Sequence, residues 1–201
     1  MNDKLKVGIQ GYPGSFHDIA ARQYWGNTDL ALIPADSFDI LASMLCQRKT
    51  DIAVMAIENS IAGTLLQNYR ILRENGFWVS GEIYLRIKHN LLVIPGTTLT
   101  DIREVASHPM ALNQCLQFLQ GFPRWKLVES EDTALSAQHL SQSLDRHKAC
   151  IASTAAADLY GLDILAPGIE TNKTNYTRFF IVHPHRETPD PAADKSSVYL
   201  R

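Results

Sequence analysis

The stretch AVMAIENS, residues 53–60, is an apolar run of five residues that stops at Glu58, Asn59 and Ser60. A continuous apolar run is typical of a strand covered on both faces of a sheet, and a serine behind it predicts a helix N-cap. Two further apolar runs stop in the same way, at Ser107 and at Ser153. Because helix N-termini at the carboxyl edge of a sheet attract anions, the pattern predicts a cleft for a small, multiply charged ligand.

Composition narrows the class of protein. The chain has 201 residues, 45% of them hydrophobic, and a net charge of −2. With no basic stripe interleaved with aromatic residues, we expect no nucleic-acid partner. No run approaches the roughly 20 apolar residues of a membrane span, and the first residues lack the apolar segment of a secretory signal. The three cysteines are widely spaced, which predicts reduced, buried thiols in the cytoplasm with neither a catalytic nor a metal-binding role.

Alternating strand and helix patterns predict an α/β protein with mostly parallel sheets. A long extended stretch over 78–94 and the Pro167-Gly168 pair are the best candidates for crossings between two lobes. We therefore predict a first lobe of residues 1–79 plus 168–184, a second lobe of 80–167, and a cleft between them. Residues 185–201 are expected to form a polar linker followed by a short strand.

Helix start signals supply the local predictions. Ser37 is expected to cap one helix, and Ser60 to cap another that ends near Glu74. The segment Ser107-His108-Pro109 predicts a third, with serine as N-cap and proline in the first turn, running to about Gln120.

The candidate site residues follow from these junctions. Glu58, Asn59 and Ser60 stand where open α/β sheets bind ligands. Gly63 and Thr64 are poor helix formers, and their presence in an expected first turn suggests that a ligand approaches the backbone there.

The segment NYTRF, residues 175–179, joins a polar loop to a strand. Side chains alternate along a strand, so Thr177 and Arg178 should face opposite sides unless the strand end is distorted. A structural role is favoured for His89.

Taken together, these segments resemble the catalytic domain of prephenate dehydratase over roughly residues 7–183. The motifs that carry the resemblance occur in the family's order along the chain: GIQGYPGSF (8–16), IENSIAG (57–63), His89 with Leu91-Leu92, SHP (107–109) with Gln114, DTA (132–134), IAS (151–153), LYGL (159–162) and NYTRF (175–179).

The resemblance implies two lobes of the type II periplasmic-binding-protein kind and conversion of prephenate to phenylpyruvate, with loss of carbon dioxide and water, in phenylalanine biosynthesis. This is a carbon–oxygen lyase reaction that needs no cofactor. The family's functional positions map onto Glu58, Asn59, Ser107, Gln114 and Thr177. A homodimer is also implied.

The resemblance gives the threonine the catalytic part, while Glu58 is chemically the better acid if burial raises its pKa, so both stay open as proton donor. Thr177, Glu58 and Asn59 are the predicted catalytic residues. Thr177 is placed at the leaving hydroxyl, Asn59 is expected to orient the substrate together with Ser107 and Gln114, and Glu58 is expected to support the network. Ser60, Ser107, Gln114, Ser153 and Arg178 are expected to bind the dianionic substrate.

Some features depart from the family pattern. Met110 replaces a common glutamine, and only a possible first strand, residues 196–200, stands where the family carries a phenylalanine-sensing ACT domain. We therefore expect no response to phenylalanine. Arogenate as substrate, and a non-catalytic anion-binding module, remain alternatives.

Overall fold

A computed structural model describes residues 4–26 and 28–186, which form two compact units. Of these residues, 4–10, 20–85 and 176–186 belong to the first unit, and 11–19 and 86–175 to the second. The units place residues 11–19, 80–85 and 168–175 differently from the predicted lobes. Whether the units behave as separate lobes stays a prediction.

The first unit is built on one mixed sheet with the strand order β2-β1-β3-β11-β5, and β4 pairs with β3. Strands β1, β2 and β3 are parallel, whereas β11 and β4 run antiparallel to β3. Helix α1 begins in the second unit and ends in the first. The elements are β1 (Leu5–Gln10), α1 (Phe16–Trp25), β2 (Leu30–Ala35), α2 (Phe38–Cys46), β3 (Ile52–Asn59), β4 (Gly63–Thr64), α3 (Leu66–Glu74), β5 (Trp78–Arg86) and β11 (Tyr176–His183).

The second unit has a five-stranded mixed sheet with the order β10-β6-β9-β7-β8. Strands β7, β8 and β9 are parallel, and β6 runs antiparallel to both β9 and β10. The elements are β6 (Asn90–Val93), β7 (Glu104–Ser107), α4 (Pro109–Gln114), α5 (Leu116–Leu119), β8 (Lys126–Glu129), α6 (Thr133–Ser143), β9 (Lys148–Ala152), α7 (Thr154–Tyr160) and β10 (Asp163–Ala166). The α/β class and the two-sheet organisation are confirmed, and the long extended stretch over 78–94 does lead from one sheet to the other.

Each sheet carries its own core. In the first unit, residues 53–57 of β3 are all buried, as predicted for a strand covered on both faces, and they pack with Leu41, Leu45 and Phe180. In the second unit, the buried strand β6 separates two apolar clusters, one under α4 and α5 and the other under α6 and α7. The polar ends of these strands are therefore held on rigid supports.

The prediction that a helix starts at Ser60 is wrong. Strand β3 continues to Asn59, the chain turns back into β4, and the helix begins only at Leu66. The turn forms because the Asn59 side-chain oxygen accepts hydrogen bonds from the backbone N–H groups of Ile61 and Ala62, at 2.9 and 2.8 Å. Gly63, with φ of +82°, takes a conformation open to glycine and costly for other residues.

The expected role of Ser107 as a helix cap is also wrong. Ser107 is the last residue of β7, and the N-cap is His108, whose Nδ1 accepts from the Met110 N–H at 3.1 Å. Proline at the first helical position places the cap one residue before itself, which is the histidine. The single helix expected to reach Gln120 is two short helices that meet at Cys115. The caps predicted at Ser37 and Ser153 are confirmed.

Among the described residues, no helix is long and apolar enough to cross a bilayer. Nor does any group of histidine, cysteine, aspartate or glutamate side chains in that part of the chain have the arrangement of a metal site. The prediction that all three thiols are buried is confirmed for Cys115 and Cys150 and is wrong for Cys46, which is exposed. The strand predicted over 196–200 lies outside the described residues.

Candidate active site

The ends of β3 and β11 bring Asn59 and Thr177 together as directly paired residues. The Asn59 Nδ2 donates to the Thr177 Oγ1 at 2.9 Å and to the Tyr176 carbonyl at 3.2 Å. Thr177 is largely buried, with 8% of its surface exposed. The two residues lie 118 positions apart in the chain, so the pairing of the strands creates this contact.

The orientation of the Asn59 amide is determined by the backbone around it. Its Oδ1 accepts from two backbone N–H groups, which can only donate, so its Nδ2 must face Thr177. The threonine oxygen therefore accepts, and the hydroxyl proton points elsewhere. Among the described residues, no group accepts that proton. The Thr177 hydroxyl is consequently available as a hydrogen-bond donor, and its contact with substrate stays a prediction.

Arg178 lies beside this pair in an ion cluster. Its guanidinium contacts Glu82 at 2.5 Å and Glu58 at 3.2 Å, and only 12% of its side chain is exposed. Burial disfavours the charged form, but the hydrogen bonds to Glu82 and Glu58 outweigh it and raise the pKa of the Arg178 guanidinium. Both carboxylates already compensate this cation, so its binding to a substrate anion stays a prediction.

Glu58 is held from two sides. One carboxylate oxygen accepts from the Tyr69 hydroxyl at 2.8 Å and the other from Arg178. The pairing of β3 with β11 shifts register just after Arg178, which pairs with Glu58, whereas the next residue, Phe179, pairs with Ala56. The bulge therefore lies beyond Thr177 and Arg178, which stay in regular register with Asn59 and Glu58, so strand alternation still places these two side chains on opposite faces.

Ser60 lies in the turn after β3 and serves the backbone. Its N–H donates to the Tyr176 carbonyl, and its Oγ accepts from the Tyr176 N–H, both at 2.9 Å. These two bonds extend the pairing of the strands next to Thr177. The structure thus brings together five of the eight predicted site residues in the first unit: Glu58, Asn59, Ser60, Thr177 and Arg178.

The second unit carries the other three predicted residues. The Ser107 hydroxyl is fully buried and donates to the Ile151 carbonyl at 2.7 Å. The Ser153 hydroxyl donates to the Gly14 carbonyl at 2.7 Å and accepts from the Ala156 N–H at 2.9 Å. Both hydroxyls therefore hold the fold of this unit. A direct contact of either with substrate stays a prediction.

Gln114 ends α4 and belongs to a polar cluster that the sequence did not reveal. Its Oε1 lies 2.9 Å from the His89 Nε2 and 2.9 Å from the Asn175 Nδ2. Its backbone carbonyl accepts from the Thr171 N–H at 2.8 Å, and the Glu170 carboxylate accepts from the His89 backbone N–H at 3.0 Å. Asn175 stands in the NYTRF segment, and that motif was the one available signal for its part in the cluster.

Comparison with known proteins identifies the family of the chain. A family model described as prephenate dehydratase matches residues 7–187. Arogenate dehydratase/prephenate dehydratase 1 of Arabidopsis thaliana is 35% identical over 96% of this chain and 48% of its own length. A bifunctional N-acyl-homoserine lactone acylase/prephenate dehydratase of Komagataeibacter europaeus is 32% identical over 95% of this chain and 67% of its own.

A solved structure of prephenate dehydratase from Arthrobacter aurescens, in complex with L-Phe, superposes with a TM-score of 0.83 at 26% identity, covering 93% of this chain and 63% of that one. The chain belongs to the prephenate dehydratase family, and the predicted resemblance is confirmed. It spans about half the length of the first curated relatives that it matches.

Proposed function

We propose that this chain catalyses the decarboxylating dehydration of prephenate to phenylpyruvate, the reaction that would place it in phenylalanine biosynthesis. Membership of the family and the names of its relatives support this substrate class. The observation that carries the proposal is the hydrogen bond from Asn59 to Thr177, because it leaves the threonine proton free for an acceptor on the substrate.

The reaction breaks two bonds and forms an aromatic ring. The ring carboxylate leaves as carbon dioxide, its bonding electrons enter the ring, and the ring hydroxyl leaves as hydroxide that must gain a proton to become water. A hydroxyl held as a donor stabilises the charge that builds on the leaving oxygen. We assign Thr177 to that oxygen. Because threonine is a very weak acid, Thr177 does not give up its own proton outright. We assign it either a strong hydrogen bond to the leaving oxygen or the relay of a proton from solvent to that oxygen.

Glu58 supports this assignment. Its carboxylate accepts from Arg178 and from Tyr69, so both oxygens already serve as acceptors in the ion cluster. We therefore assign Glu58 to holding β3 against β11 next to Asn59, and Thr177 rather than Glu58 to the leaving group.

The test is Thr177→Val, which keeps the shape of the side chain and removes the hydroxyl. We expect kcat on prephenate to fall roughly 100-fold to 1,000-fold, as when an enzyme loses one preorganised donor, with much less change in KM. Thr177→Ser is the matched control, since it keeps the hydroxyl. Near-normal turnover by Thr177→Val would show that the assignment is wrong.

Asn59→Asp tests the orientation of the hydrogen bond. A carboxylate can still accept from the N–H groups of Ile61 and Ala62, but its second oxygen would now accept the Thr177 proton. We expect a fall in kcat comparable to that of Thr177→Val, with the fold intact by circular dichroism. A fully active Asn59→Asp enzyme would contradict the donor role of Thr177.

Arogenate is the alternative substrate, because several relatives are named for it. It differs from prephenate in carrying an amino group in place of the side-chain keto oxygen. Parallel assays that follow phenylpyruvate from prephenate and phenylalanine from arogenate give kcat/KM for each. Prephenate should be the better substrate, and the reverse ratio would reassign the activity. Turnover of neither would leave the binding-module alternative, which calorimetry with prephenate would test.

We also propose a cytoplasmic homodimer. Support for a reducing compartment comes from the three cysteines, none of which forms a disulfide in the described part of the chain. The dimer is supported only by the family resemblance. Sedimentation equilibrium tests the oligomeric state, and a monomer at micromolar concentration would remove it from the proposal.

A further inference from the structure

We propose that His89 is a positioning residue for Gln114: as the neutral Nε2–H tautomer it acts with Asn175 to direct the Gln114 amide nitrogen toward a substrate oxygen. The role rests on the proposed function, whereas the tautomer and the amide orientation are properties of the chain itself. From the sequence alone, a structural role was favoured for His89.

The donors around the Gln114 carbonyl oxygen define its orientation. The Asn175 Nδ2 and the His89 Nε2 both lie 2.9 Å from the Gln114 Oε1. An amide oxygen can only accept, so the His89 Nε2 must carry a hydrogen. With both lone pairs of the Oε1 engaged, Gln114 can offer a ligand only its NH₂ group.

The second ring nitrogen of His89 supports the same tautomer. The Nδ1 is buried and has no hydrogen-bond partner among the described residues, and the whole residue is 3% exposed. A buried acceptor without a partner is less costly than a buried N–H without one. The neutral Nε2–H form leaves only an acceptor unpaired, whereas the Nδ1–H tautomer and the imidazolium would each bury an unpaired N–H.

The surroundings of the ring agree with a neutral imidazole. The edge of the Phe16 ring lies against it, with 5.4 Å between ring centroids. Burial lowers the pKa of His89, although the hydrogen bond to Gln114 and the charge of Glu170 act in the opposite direction. The Glu170 carboxylate accepts from the backbone N–H of His89, so it holds the main chain at this point.

A chemical class of ligand follows from this arrangement. Because the Gln114 oxygen is already engaged, only the Gln114 NH₂ group can recognise a ligand. The ligand must therefore offer a hydrogen-bond acceptor, such as a carboxylate or carbonyl oxygen. The side chain of prephenate carries both. An ammonium or hydroxyl donor would find no acceptor on Gln114.

The first experiment reads the tautomer directly. Long-range nitrogen–proton NMR spectra of histidine-labelled wild-type protein at neutral pH should show the His89 ring with hydrogen on Nε2 and none on Nδ1. An Nδ1–H or doubly protonated ring would overturn the proposal. This result does not depend on enzymatic turnover. If the wild type fails to convert prephenate, that outcome counts against the proposed function and leaves the tautomer test in force.

The second experiment is a double-mutant cycle on kcat/KM for prephenate. His89→Leu removes the donor and should lower kcat/KM roughly 10-fold, mainly through KM, because a misdirected amide weakens binding. His89→Gln, which can still donate, should recover most of the loss. In a Gln114→Ala background, His89→Leu should have little further effect. Equal effects of His89→Leu in both backgrounds would show that His89 acts independently of Gln114 and would overturn the proposal.

Discussion

Acid should lower the free energy of unfolding of this protein because of one buried histidine, His17. His17 is the second residue of α1 and is 9% exposed, and burial lowers its pKa to about 3. In the unfolded chain its pKa is about 6.5. The unfolded state therefore binds a proton that the folded state refuses between these two values, and the free energy of unfolding falls as the pH drops below 6.5.

The size of the effect follows from the two pKa values. At pH 5 the unfolded histidine is mostly protonated and the folded one is not, which costs about 2 kcal/mol at 1.36 kcal/mol per pH unit. Typical domains have only about 5–15 kcal/mol of stability. Above pH 7 His17 is mostly neutral in both the folded and the unfolded chain, so it no longer makes the free energy of unfolding depend on pH.

Urea unfolding at pH 7.5 and at pH 5 measures this contribution. His17→Gln cannot be protonated, so it should lose about 2 kcal/mol less stability than the wild type over that interval, whatever its stability at pH 7.5. His139→Gln, at an exposed position of α6, is the matched control and should behave like the wild type. Equal acid losses for the wild type and His17→Gln would refute the reasoning.

Two further predictions concern the thiols and the ion cluster. Burial raises the pKa of the Cys115 thiol to about 12 and also raises the pKa of the Cys150 thiol, whereas Cys46 is exposed. At pH 8 a coloured disulfide reagent should therefore react only with Cys46 in the native protein, and with all three thiols after denaturation. Rapid native reaction of more than one thiol would contradict the burial. Arg178→Met leaves the carboxylates of Glu58 and Glu82 without their shared cation and should lower the free energy of unfolding by about 2 kcal/mol. Adding Glu82→Gln to this variant should restore part of the loss. An unchanged urea midpoint for Arg178→Met would contradict the prediction.

Local rules predicted the parts of the fold that depend on local chemistry. The buried strand through residues 53–57 and the caps at Ser37 and Ser153 need only an apolar run or a side-chain oxygen next to a helix. The family motifs likewise led to the residues that gather at the ends of β3 and β11. These are signals that a few neighbouring residues carry by themselves.

The wrong prediction at Ser60 involves a partner that is distant in the sequence, whereas the one at Ser107 involves only its neighbours. After Asn59 the chain was expected to become a helix, because a serine following a strand is a common cap. In the structure, β3 pairs with β11 as far as Asn59, the chain then turns back into β4, and Ser60 bonds to Tyr176, which lies 116 residues away. At Ser107 the serine was expected to be the cap, but the proline at the first helical position makes the residue just before it, His108, the N-cap.

Each unit carries one predicted site amide whose orientation is set by neighbouring hydrogen-bond donors, and not by a helix end. In the first unit, two backbone N–H groups occupy the Asn59 oxygen, which forces its nitrogen toward Thr177. In the second, His89 and Asn175 engage the oxygen of Gln114 and leave its nitrogen for a ligand. The sequence identifies both amides, but it cannot say which end of either one points outward. The surrounding donors determine that choice, which leaves the Thr177 hydroxyl in the first unit and the Gln114 NH₂ group in the second as the hydrogen-bond donors that the proposed reaction would use.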